Sequence, residues 1–355
     1  MESEEKSHLA WLEEFLAPQF DVSADLAHDC RVTVIEDSAR HRATLALGPG
    51  SGTLDAFTLD TRVVTLPRWR GAETRLFDAK PGVFYDIAGH PYAVTIQSTP
   101  GNVRGRTALM RVVRELATNR AQRMGGVLLH ASAFAVGGKG IIVAGPKHAG
   151  KTTLLIHALR AASARYVSND RVLIQPDAVP AVAHGVPTII ALRRGTLDLF
   201  PVVAARLAAA SYHHRLTLHE AATLGRDAAS PRGEADRLSP AQFCRLLDVP
   251  PLGQCEVSAL LFPRITHESG AFSTRRLPEG EAAAQLADGL FGVTVGRWTS
   301  EVFAHPGDPA PPDRDALGDR CRRLADRIPC FECRIGLDAY QSASSADDLI
   351  ASLMG

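Results

Sequence analysis

The run Gly145-Pro146-Lys147-His148-Ala149-Gly150-Lys151-Thr152 fits the pattern G-x-x-x-x-G-K-[ST], and its residue types suit one task, holding a polyphosphate. The apolar run Gly140–Ala144 precedes it, and the helix-like run Lys151-Thr152-Thr153-Leu154 follows. Strand, loop and helix therefore stand in the order the motif requires. Phosphates bring several negative charges that must leave water. Successive backbone N–H groups at a helix N-terminus answer with a concave donor surface at the positive end of a dipole. Gly145 and Gly150 supply backbone conformations and a close approach that a Cβ would obstruct. Lys151 is placed to reach the terminal phosphates, and the Thr152 hydroxyl to ligate Mg²⁺. Pro146, Lys147, His148, Ala149 and Thr153 complete the expected nucleotide lining. His148 stands where many such loops carry another glycine. Histidine tolerates a positive φ better than most residues; a solvent-facing position is the plainer reading, added charge near the phosphates the alternative. Only five of the 39 basic residues are lysines (Lys6, Lys80, Lys139, Lys147 and Lys151), so a lysine at the motif's fixed position is specific.

A nucleotide-using enzyme also needs an acid for the metal or the attacking group, usually at the end of a neighbouring strand. Ser168-Asn169-Asp170-Arg171-Val172 supplies Asp170 where an apolar strand ends, the place where parallel α/β sheets put active sites. A turn carboxylate capping its own backbone is the competing reading. His130, taken alone, reads as a buried strand histidine. Arg193-Arg194 ends another apolar strand and suits either a forked phosphate clamp or a solvated strand end. Arg264 closes Leu260-Leu261-Phe262-Pro263 and is a further candidate to face the nucleotide. His213, His214 and His219 lie in a polar, helix-like stretch; the spacing from His214 to His219 does not match a helical metal pair, so no metal is assigned there. Cys330-Phe331-Glu332-Cys333 has C-x-x-C spacing, yet no second ligand pair follows and Ile328–Ile335 reads as a strand. Strand cysteines are expected. With no export signal, reduced thiols are expected for Cys30, Cys244, Cys255, Cys321, Cys330 and Cys333.

The stretch His130 to Val172 resembles the HPr kinase/phosphorylase family, whose phosphate-loop fold is shared with phosphoenolpyruvate carboxykinases. The likeness rests on His130-Ala131-Ser132, fifteen residues before Gly145, on the loop itself, and on Asn169-Asp170 at the place of the family's acidic pair. That pair falls one residue further from Lys151 than usual, consistent with a single insertion near Ala161–Ala164. Gly185–Leu192 and Phe331–Ile335 carry a looser likeness. The resemblance implies transfer of the γ-phosphoryl group of ATP to a hydroxyl, typically a serine in a protein. Lys151 and Thr152 would hold phosphates and Mg²⁺, the acidic pair would divide between the hydroxyl and the metal, and His130 would order the carboxylates or the transferred phosphate. The family is often oligomeric, so a homo-oligomer is among the expectations. One departure matters: Asn169 occupies the first acidic position, and an amide cannot accept a proton at neutral pH. The base then falls to Asp170 or His130. A small-molecule alcohol or free amino acid is the alternative acceptor, and a nucleotide-binding regulator without transfer activity the contrasting class.

Positioning these groups calls for an α/β fold, a C-terminal P-loop kinase-like domain of the HPr kinase/phosphoenolpyruvate carboxykinase type over residues 106–355, after a β-rich N-terminal region over residues 1–105. That region fits a peptide- or protein-docking role. An amphipathic helix around Leu9–Leu16 is expected first, then strands at Arg31–Ile35, Ala43–Leu47, Arg62–Leu66 and Tyr92–Gln97, separated by Gly, Pro and Asp signals. A helix from about Arg106 to Met124 carries Leu109, Val112, Val113 and Leu116 on one face. Strands Val127–Ala135, Gly140–Ala144, Arg165–Val167 and Val172–Ile174 follow, with a helix from Lys151 to about Ala162. The stretch Leu207–Arg237 reads as helix and loop, and a final helix and strand follow the connector Pro306–Pro312. The 355 residues are 45% hydrophobic and 22% charged with a formal net charge of zero. This balance suits a globular protein with no overall field for nucleic acid or an anionic membrane. An acidic start without an apolar run gives a cytoplasmic expectation.

Overall fold

The computed structural model describes residues 2–3, 6–21, 29–57, 63–89, 92–102, 104–146, 148–209, 235–266, 272–291, 293–294, 297–298, 302–340 and 344–354. Lys147, His213, His214 and His219 lie outside the described residues.

Seven strands form the first sheet: β1 (Glu2–Ser3), β2 (Arg31–Glu36), β3 (Pro49–Phe57), β4 (Val63–Trp69), β5 (Thr74–Asp78), β6 (Val83–Gly89) and β7 (Tyr92–Ser98), ordered β1-β2-β7-β6-β5-β4-β3. Helix α1 (Lys6–Leu16) sets Trp11, Leu12, Phe15 and Leu16 into the core that Val32, Val34, Leu76, Tyr85, Val94 and Ile96 build beneath it. The strand expected over Ala43–Leu47 is instead part of α2 (Ser38–Ala46). Two observations explain the difference. The Asp37 carboxylate accepts from Ala39 N at 2.7 Å and Arg40 N at 3.0 Å, a side-chain N-cap. Leu45 and Leu47, the large apolar residues of the run read as a strand, are exposed, while His41 and Thr44 face inward.

Helix α3 (Arg104–Arg123) joins the two halves of the molecule. Leu109, Met110 and Val112 belong to the core of the first sheet. Its later turns meet the C-terminal part of the chain: Asn119 Nδ2 donates to the carbonyls of Val302 and Phe303, each at 3.2 Å, and Arg320 Nη1 donates to Gln122 O at 2.9 Å.

The second sheet has nine strands. These are β8 (Val127–Leu129), β9 (Ala131–Val136), β10 (Lys139–Ala144), β11 (Ala164–Ser168), β12 (Arg171–Gln175), β13 (Val182–Val186), β16 (Gln254–Thr266), β17 (Phe272–Arg276) and β18 (Cys330–Gly336); the hairpin β14 (Ile190–Arg193) and β15 (Ala235–Leu238) stands apart. The thirteen-residue β16 is its spine, pairing in parallel with β10 along one edge and, past its midpoint, with β18 along the other. Helices α4 (Lys151–Ala158), α6 (Pro201–Ala209), α7 (Pro240–Leu247) and α10 (Ser344–Met354) contribute to the core on one face, after the short α5 (Arg194–Leu197); α8 (Glu279–Asp288) and α9 (Arg314–Arg327) pack on the other. The architecture is mixed α/β with mixed sheets. No helix among the described residues is long and apolar enough to cross a membrane.

Two expectations are refined here. The single strand expected over Val127–Ala135 breaks at His130: β8 pairs with β12, whereas β9 pairs with β10 and β11, so the chain switches neighbours at that residue. Cys330 and Cys333 do lie in a strand, three residues apart. Alternation therefore sends them to opposite faces, Cys330 into one core and Cys333 into the other. Burial pushes both thiols up to about 12.

One buried titratable group gives a pH test of this packing. His157, on α4, is 1% exposed, with Nε2 3.1 Å from Ser345 Oγ and its ring edge-on to Tyr340. Burial is the main cause, with the charge of Arg160 second, that lowers its pKa to about 4. The unfolded chain takes up a proton near pH 6.5 that the folded chain refuses. The stabilisation is thus complete above that pH and lost as pH falls towards 4. Lowering the pH from 7 to 5 should cost roughly 2 kcal/mol through this one group, measured by urea denaturation. His157→Phe should flatten that part of the profile.

Candidate functional site

Strand β10 is buried from Gly140 to Ala144 between antiparallel β9 and parallel β16, and delivers the chain to the sheet's end at Gly145. The loop then makes three backbone choices that few residues allow: φ is +148° at Gly145, +72° at His148 and +93° at Gly150. Gly150 is the N-cap of α4 and has a second constraint, since a Cβ there would stand 2.5 Å from Ile265 Cδ1. His148 adopts the left-handed conformation its place in the motif suggested.

Lys151 folds back over the loop it terminates. Its Nζ donates to Gly145 O at 2.8 Å and Pro146 O at 3.0 Å, and the residue is only 7% exposed. The ammonium is thus held by two carbonyls of its own loop. Thr152 is half-buried and Thr153 buried in the first turn of α4. Arg193, at the end of β14, reaches the same loop: its Nη1 lies 3.2 Å from His148 Nδ1. A guanidinium donates only, so His148 Nδ1 accepts and the ring's other nitrogen carries the proton. Arg194 opens α5 and is exposed.

The acid and the histidine come together beside this loop. Ala131 pairs with Ala144 across β9 and β10, which places His130 level with the start of the loop. His130 Nε2 is 3.1 Å from Asp170 Oδ1, each side chain a quarter exposed. The turn carrying Asp170 is pinned from several sides. Ala131 N donates to Asp170 O at 3.1 Å, Ser132 Oγ to Asn169 O at 2.5 Å, and Ser168 Oγ to Arg171 O at 2.6 Å. Burial pushes the Asp170 pKa up, but the His130 hydrogen bond and the charges of His130, Arg171 and Lys151 outweigh it, and the net shift is downward. The side chain is therefore a settled carboxylate at neutral pH.

Asn169 is 7% exposed, and no hydrogen-bond donor among the described residues reaches its Oδ1. A buried amide oxygen without a donor is costly, and the residue that carries it precedes Asp170 in the same turn; amide and carboxylate oxygens are hard donors of the kind Mg²⁺ takes.

Behind Asp170 lies a charge network with no counterpart in the sequence reading. Arg171 is 1% exposed, its guanidinium 4.0 Å from the Phe291 ring centroid and its Nε 3.8 Å from Asp170 Oδ2. Arg114 and Glu115 of α3 are each 1% exposed, and the charge of Glu115 acts on Arg111, Arg114 and Arg171. Charged residues at positions 111, 114 and 115 fall among the apolar positions of α3, which is the one sequence signal that marks them as buried. Arg264 is not turned to the loop. Its Nε lies 3.0 Å from Glu332 on the neighbouring β18.

No protein-family model and no curated protein matches the chain.

Proposed function

We propose that this protein is an ATP- and Mg²⁺-dependent kinase of the P-loop type that moves the γ-phosphoryl group to a hydroxyl, with a serine of a peptide or protein as acceptor. One observation carries the reading: the lysine of the glycine-rich loop and the His130–Asp170 pair stand at one end of one sheet, close enough for the Lys151 charge to act on the Asp170 carboxylate. The likeness of His130–Val172 to HPr kinase/phosphorylase supports the same assignment.

The loop amides and Lys151 would bind the phosphates of ATP, Lys151 trading its bonds to the Gly145 and Pro146 carbonyls for phosphate oxygens. The Thr152 hydroxyl and the unpartnered Asn169 Oδ1, with Asp170 as the neighbouring charge, would hold Mg²⁺, which supplies charge neutralisation at the β- and γ-phosphates. The acceptor oxygen bonds to the γ-phosphorus while the bond from that phosphorus to the β–γ bridging oxygen breaks. ADP leaves with that electron pair, and the acceptor's proton passes to Asp170. A carboxylate of lowered pKa is a poor base towards a free hydroxyl. It serves in a loose transition state, where the proton moves late and positioning carries most of the rate. His130 holds Asp170 Oδ1 and so fixes which oxygen meets the acceptor. In this division of labour the amide at position 169 costs little, because the metal rather than the proton is its task.

The test is label transfer from γ-labelled ATP to serine-containing peptides, with and without Mg²⁺. Transfer that needs Mg²⁺ and disappears in Lys151→Ala supports the kinase. Nucleotide binding without turnover on peptide, protein or small alcohol acceptors would instead favour a regulator.

A further inference from the structure

On the flank of the loop opposite His130 and Asp170, three arginines meet over one buried carboxylate. Glu332, on β18, is 3% exposed; Arg264 Nε lies 3.0 Å from its Oε2, Arg334 Nε 3.1 Å from its Oε1, and Arg275 Nη2 3.6 Å from its Oε2. The side chains of Arg264 and Arg334 are each 62% exposed and that of Arg275 52%. Arg275 also pairs with Glu281 at 3.0 Å. The acid lies at the bottom and the guanidinium groups at the rim, so a ligand arriving from solvent meets the positive side. Three cations share two carboxylates, a local excess in a chain whose formal net charge is zero.

Strand register puts this cluster at the loop's own end of the sheet. Val143 pairs with Leu261 and Phe262 with Glu332, so Arg264 and Arg334, which pair with each other, stand just past the level of Gly145. Pro263 and Ile265 pack under Gly145 and Gly150, which leaves Arg264, between them, on the other face of β16 with Phe262. Strands are about 4.8 Å apart, so the path from the His130 edge across β10 and β16 to β18 is about 15 Å, or four to five extended residues.

We infer that Arg264 and Arg334, with Arg275, form an acceptor-docking site for an acidic peptide segment, with carboxylates about three to five residues from the serine that receives phosphate. Glu332 splays the guanidinium groups and limits their mutual repulsion, leaving their outward N–H groups for a second carboxylate. The inference rests on the kinase reading only for the position of the serine; the binding itself does not require turnover.

The experiment is fluorescence anisotropy of a labelled serine peptide with glutamates at those positions, against the same peptide with glutamines. The acidic peptide should bind wild type and Lys151→Ala alike. Its affinity should fall about tenfold or more in Arg264→Gln/Arg334→Gln and stay unchanged in Arg322→Gln/Arg323→Gln, a control on the exposed face of α9. The single Arg334→Gln leaves Glu332 two partners and serves if the double variant does not fold; an intermediate loss is then expected. Equal binding of the two peptides, or equal losses in the two arginine pairs, overturns the site. Charge-selective binding without label transfer refutes the kinase and keeps the site. Transfer indifferent to the glutamates refutes the site and keeps the kinase.

Discussion

Asp170→Asn should slow the proposed phosphoryl transfer by about a hundredfold or more while the protein stays folded and keeps its expected affinity for nucleotide. The substitution keeps the shape of the side chain and the backbone bonds that pin the turn, from Ala131 to Asp170 O and from Ser132 to Asn169 O. It removes the charge beside the proposed Mg²⁺ position and the only proton acceptor in the Asn169-Asp170 pair. Arg171 keeps the charge of Glu115, so stability should change much less than rate. The kcat should carry the loss and KM for ATP should hardly move, because Lys151 and the loop amides are intact. Steady-state kinetics beside a urea melt measures both quantities. Wild-type kcat in the folded variant would remove Asp170 from the chemistry. The companion Asn169→Asp adds a charge at the oxygen proposed to hold Mg²⁺ and should change the affinity for Mg²⁺-ATP; an unchanged affinity would take Asn169 away from the metal–nucleotide complex.

The second large effect is structural. Glu115→Gln should destabilise the protein by about 3–5 kcal/mol, because one buried carboxylate serves Arg111, Arg114 and Arg171. Arg111 retains Asp78 at 2.8 Å and Arg171 retains Asp170, but Arg114 has lost the larger of the two negative charges that act on it, Glu115 ahead of Asp170. Replacing Arg114 as well, as Glu115→Gln/Arg114→Met, should recover much of the loss, since the cost is the charge left uncompensated rather than the missing pair. Denaturant midpoints at constant slope give the comparison. A change below about 1 kcal/mol would mean that water already solvates this network.

These two predictions fall on either side of what the sequence makes legible. The loop is legible because phosphate chemistry leaves few choices: glycine at 145 and 150, lysine at 151, and at 148 a residue that tolerates φ of +72°. Asp170 is suggested by its place at a strand end and His130 only by the family resemblance, and they meet at 3.1 Å. Neither signal marks Glu115 or Glu332, because what gives each its meaning lies far away in sequence. Glu115 acts on a residue in β12, and Glu332 is defined by Arg264 on a parallel neighbour. The turn signals around Ala43–Leu47 also misled, because the Asp37 cap and the burial of His41 and Thr44 make that run part of a helix. Val127–Ala135 reads as one strand because only His130 and Ser132 interrupt its apolar run, yet the exchange of partners at His130 is a property of the sheet.

The most direct measurement is a calorimetric titration of a non-hydrolysable ATP analogue into the protein, with Mg²⁺ and without it. One saturable site that strengthens with Mg²⁺ and is lost in Lys151→Ala is the predicted result. Absence of binding heat in the presence of Mg²⁺, or an unchanged isotherm in Lys151→Ala, would contradict the placement of a triphosphate on this loop.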